Sequence, residues 1–218
     1  MSKQWNYKEL EDFGRIRLSR NFYMREFLHS EIAQIHGLVN APDDVDTAVK
    51  AGANLCEKVL EPIMDYWGKV HVRSGYRSPE VNNLGNAKKL NCASNEKNAA
   101  AHIWDSLDSK GFSGATACIV IPAYHDYFAK TGDWASLAWW IHHHIPEYSE
   151  MCFFKEQCAF NIRWYEGNDG KQTIKTYLVN PDTGNKASLI NNGVEHSYYQ
   201  EMPAGKRYKK AADLIGKP

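Results

Sequence analysis

Three side chains of the kind that hold metal ions stand at three-residue intervals in one short stretch: His102, Asp105 and Asp108. On a helix, residues three and four apart share a face. One imidazole and two carboxylates could then converge on a divalent cation, with His125 or one of His142, His143 and His144 completing the set. Three protein ligands around zinc leave a position for water, and the metal lowers that water's pKa toward neutrality. Spacing alone is weak evidence, and the plainer reading of the trio is a hydrogen-bonded loop or a solvated helix face. The consecutive histidines cannot all serve one ion, because neighbouring helical residues point in different directions. They suit a partly exposed helix end, where the dipole favours them.

The chain that must position these groups has 218 residues, 43% of them apolar and 12% aromatic, enough for one sizeable core. Lys plus Arg and Asp plus Glu each total 26, so there is no global electrostatic pull toward nucleic acid. The local basic run of Lys206, Arg207, Lys209 and Lys210 reads as a solvated tail. No apolar run approaches the roughly 20 residues that span a bilayer. The polar start, Met1 to Arg20, has no signal-peptide core, which predicts synthesis in the cytoplasm and no membrane partner. Cys56, Cys92, Cys118, Cys152 and Cys158 are odd in number and contain no Cys-x-x-Cys pair, as expected of free thiols in a reducing compartment.

Residues 1–17 read as an N-terminal extension whose Trp5, Tyr7, Leu10 and Phe13 form one helical stripe. Apolar spacing predicts a helix from Asn21 to Ile35, capped by Ser19, and a clearer one from Asp43 to Tyr66 that Gly68 ends. Val70 to Arg73 reads as a strand, Ser74 to Pro79 as a turn leading into a short helix. The polar segment of about 83–108 reads as an insertion. A buried strand is expected over Ala115 to Pro122, helices to Ile145, and strands at Met151 to Phe154, Ala159 to Tyr165 and Gln172 to Val179. Gly167-Asn-Asp-Gly is a hairpin signal joining the last two. The tail, 180–218, has the composition of irregular contact structure.

Several segments, in order, resemble the zinc D-Ala-D-Ala carboxypeptidases, the peptidoglycan metallopeptidases of bacteria and bacteriophages. Leu18 to Ser30 is similar to their opening helix, and Val59 to Ile63 with Trp67 to Val70 to the next helix and strand. The most specific piece is Arg73 to Asn82, with its Ser74-Gly75-Tyr76-Arg77 turn. The resemblance covers 18–179 and implies an α+β fold: a small antiparallel sheet flanked by helices, with a groove across the sheet. It implies a substrate-facing role for Ser74, Tyr76 and Arg77, the Arg polarising the scissile carbonyl. A purely structural Arg77, holding the turn by hydrogen bonds, is the alternative.

The family's zinc motif is Ser-x-His-x-x-Gly-x-Ala-x-Asp-Ile, and it closes with Glu-x-x-His, the Glu acting as general base. In this frame Ser109, Gly114 and Ile119 match. Gly111 stands where the first zinc ligand belongs, Cys118 where the Asp belongs, Cys158 at the base and Asn161 at the third ligand. Gly offers no ligand atom, and a lone thiol in an apolar strand is more often inert core than a reactive group. The expectation is therefore a peptidase-like protein without catalysis or cofactor. It would be a structural component of a bacteriophage particle, made in the host cytoplasm. Its partners would be other virion proteins and copies of itself, with peptidoglycan as a further partner and no nucleic acid. The alternative is an active zinc peptidase with its metal relocated to His102, Asp105 and Asp108.

Overall fold

The computed structural model describes residues 3–179 and 188–195. The basic run at 206–210 and most of the expected tail lie outside the described residues. The chain is an α+β protein with a seven-stranded mixed, mostly antiparallel sheet in the order β1-β2-β4-β3-β5-β6-β7. The strands are β1 His71–Ser74, β2 Gly114–Val120, β3 Tyr148–Phe153, β4 Phe160–Tyr165, β5 Thr173–Thr176, β6 Ile190–Asn191 and β7 Val194–Glu195. The helices are α1 Tyr7–Gly14, α2 Glu31–His36, α3 Val45–Leu55, α4 Glu61–Trp67, α5 Pro79–Ala87, α6 Asn95–Asn98, α7 Pro122–Thr131 and α8 Ala135–His144. Two compact units divide the chain.

The first unit takes Met1–Glu61, Val72–Ala117 and Arg163–Gly167. Its principal helix is α3, capped by Asp44, whose side chain accepts the Thr47 amide. A π-helical turn, Cys56–Leu60, follows before α4. Its cause is Pro62, which brings no N–H for the Lys58 carbonyl and would crowd it in a regular helix; widening the turn relieves both. Gly68, at φ 77°, closes the helix as expected. Trp104 lies in the core against Phe27, with its indole N–H on the Thr116 carbonyl. Gly52 makes room for it, since a Cβ there would sit 2.7 Å from the Trp104 ring.

The expected helix over Asn21 to Ile35 is broken. It becomes a 3₁₀ turn, Met24–Phe27, and the short α2, capped by Ser30 and not by Ser19. Ser19 and Asn21 instead donate to the buried Glu61 carboxylate, which holds that chain out of helical geometry. The N-terminal extension packs on its own unit. Trp5 donates to the Pro42 carbonyl and stacks near Phe13, which is buried, whereas Tyr7 remains exposed.

The segment expected to be an insertion is organised by asparagines. Ser78 caps α5, with Pro79 in its first turn. Asn82, fully buried, donates to the Ala93 carbonyl and to Asn95, and accepts from Asn98. Asn95 reaches back to the Pro79 carbonyl. Asn82 and Asn95 each donate and accept through their side-chain amides, so hydrogen bonds hold the polar part of the segment while Ile103 and Trp104 anchor it in the core.

The second unit takes Pro62–His71, Cys118–Ile162 and Asn168–Pro218. Its core gathers Trp67, Tyr124 and Trp140, with Phe153 against Phe160 and Trp134. A tight turn, with Gln157 and Cys158 both left-handed (φ 59° and 51°) and Ala159 N–H on the Glu156 carbonyl, joins β3 to β4. The expected hairpin between β4 and β5 does not form. β5 pairs with β3 in parallel, Glu150 opposite Thr173 and Phe153 opposite Thr176. The loop chemistry explains the change: Asn168 donates to the Tyr148 carbonyl and Gln172 to the Pro146 carbonyl, so the turn is anchored beside the start of β3 and β5 leaves alongside it. The sheet is thus larger than expected and mixed. Residues 190–195 add a short hairpin beside β5 where irregular chain was expected.

Candidate functional site

In the first unit the chain after β1 makes the turn Ser74-Gly75-Tyr76-Arg77. Gly75 is required because a Cβ would lie 2.8 Å from the Phe27 ring and 3.2 Å from its Cα. Tyr76 is fully buried, its amide on the Phe27 carbonyl, its own carbonyl accepting from Asn40, and its hydroxyl donating to Asp105 at 3.1 Å. Burial, then the Asp105 charge, push the phenol far up, so it stays protonated and donates. Tyr76 is therefore buried and anchors the turn in the core. Ser74 is half-buried at the end of β1. Arg77 donates its amide to the His102 carbonyl and Nη1 to Cys92 Sγ at 3.3 Å.

His102 sits beneath this turn, 6% exposed, with Nδ1 2.8 Å from the Gly75 carbonyl oxygen. A carbonyl only accepts, so Nδ1 carries the proton and Nε2 presents its lone pair. Burial, then the positive charges of Arg77 and Arg163, lower the His102 pKa to about 3, so the ring is neutral. Arg163 was not singled out by the sequence, which placed it only in a strand. Its Nε donates to the Ala100 carbonyl and its guanidinium lies over the Tyr165 ring. The alternation of β4, buried at Phe160, Ile162 and Trp164, was the available signal that Arg163 faces the other side.

No helix puts His102, Asp105 and Asp108 on one face; residues 99–108 form turns and the bridge Ala99↔Ile103, a hydrogen-bonded loop. Ala100, left-handed at φ 54°, breaks the helical path. The trio consequently diverges. Asp105 accepts from the Asp43 amide and the Tyr76 hydroxyl, and burial raises its pKa in spite of both bonds. Asp108 accepts from Tyr165 and from the amides of Lys110 and Phe112. Beside this turn Gly114 passes so close that a Cβ would meet the Ala100 carbonyl oxygen at 2.3 Å and the Trp164 oxygen at 3.0 Å. Both are backbone atoms that cannot step aside. Gly114→Ala is expected to cost about 2 kcal/mol through overpacking, read as a lowered midpoint in urea.

The four positions that the resemblance sets against the zinc motif divide between the two units. Gly111, in the first unit, is at the tip of the turn that Asp108 caps, with φ 84° and open space around a notional Cβ. In the second unit Cys118, 7% exposed, packs with Val120, Ala159 and Phe154. Cys158 is buried in its strained turn, and burial, followed by the Asp133 charge, pushes its thiol far above neutrality. Asn161 stands half-buried on β4. His125 and the His142–His144 run are on α7 and α8. His142 meets the Tyr148 hydroxyl, and His144 stacks on Trp140 and bonds its carbonyl. Among the described residues no group of three or more His, Cys, Asp or Glu could hold a metal ion. The His102 trio does not assemble a zinc set: His102 presents a nitrogen lone pair, but both aspartates are committed to other partners.

The chain matches no family model, no curated protein and no solved structure.

Proposed function

We propose that the chain is a catalytically silent relative of the zinc D-Ala-D-Ala carboxypeptidases, used as a structural protein of a bacteriophage particle, in head decoration or in the tail or baseplate. On this reading β1, β2, β4 and β3 correspond to the family's small sheet and β5–β7 are an addition. The observation that carries the loss of catalysis is Cys158. A general base must take a proton near neutral pH, and this thiol, buried and held protonated, already has one. The particle role rests on the resemblance together with that loss. Its partners are other virion proteins and further copies of the chain, with peptidoglycan contact through Arg77 as a subsidiary role. Quantitative mass spectrometry of purified particles tests it. The expected result is the chain at a copy number matching a particle symmetry; presence in the lysate but not in particles would sink the idea.

One observation favours a second reading, an active zinc peptidase centred on His102. The bond from Nδ1 to a backbone carbonyl leaves Nε2 oriented as in metal-ligating histidines. The divergence of Asp105 and Asp108 weighs against it.

A further inference from the structure

We draw no further inference here: the strongest candidate, the Arg77–Cys92 guanidinium–thiol contact between the turn after β1 and the loop joining α5 to α6, rests on a lone cysteine with no second observation pointing to a ligand, and its arginine belongs to the site already described.

Discussion

Glu61→Ala is expected to destabilise the protein by about 2–3 kcal/mol, the upper part of the range for losing hydrogen bonds to a charged acceptor. Glu61 is 7% exposed. Its carboxylate accepts from Ser19 Oγ, the Asn21 amide and Asn21 Nδ2, each at 2.7 Å, and from Arg20 Nη2 at 3.2 Å. Truncation leaves the buried Ser19 hydroxyl facing a void, at about 1–3 kcal/mol for a buried orphan, while the exposed Asn21 and Arg20 turn to water. Glu61→Gln keeps the shape but turns one acceptor into a donor, so a smaller loss of about 1–2 kcal/mol is expected. Burial by itself would raise the Glu61 pKa; the bonds from Ser19 and Asn21 and the Arg20 charge outweigh it, so the net shift is downward. This stabilisation is therefore present above the unfolded carboxylate pKa and is lost as pH falls through the folded one. Urea titration of both variants checks the order, with an unchanged m-value indicating that only stability moved. Equal stability of wild type and Glu61→Ala would contradict it.

The second large effect is a pH dependence set by His102. The unfolded chain takes up a proton on this residue near pH 6.5, whereas the folded chain holds the ring neutral down to about 3. Between these values the unfolded state binds more protons, so stability is full above about 6.5 and falls as the solution is acidified. From pH 6.5 to pH 5 the loss attributable to His102 is about 1.5 kcal/mol. Glu61 acts in the same direction but only at lower pH. Asp105, raised by burial, acts in the opposite sense. His102→Gln retains an N–H for the Gly75 carbonyl but does not titrate. Its stability is expected to be nearly flat over that interval, and a slope equal to wild type would refute the assignment.

Sequence patterning located the parts of the fold that local rules govern. α3 follows the apolar spacing from Val45, β2 follows a mostly apolar run, and α5 follows the turn that ends in Pro79. It missed the parts decided by partners distant in sequence. The segment at Asn21 carries helical spacing, but Glu61, 40 residues on, claims its backbone amide. The spacing of His102, Asp105 and Asp108 suggested one face, but the left-handed Ala100 and separate partners at Gly75, Asp43 and Tyr165 send them apart. The turn at Gly167 to Gly170 was visible as a turn; that it serves a parallel β5 was not, because the anchor is the Tyr148 carbonyl. Of the candidate site, Gly111, Cys118, Cys158 and Asn161 were legible only as residue types. Their environments, above all the buried thiol in a left-handed turn at Cys158, were not.

The claim of catalytic silence is tested most directly by incubating the purified chain with muropeptides in the presence of zinc, with metal content measured on the same sample. The predicted result is no hydrolysis above a blank and no stoichiometric zinc, unchanged in His102→Ala. Turnover that depends on one bound zinc per chain and disappears in His102→Ala would contradict it.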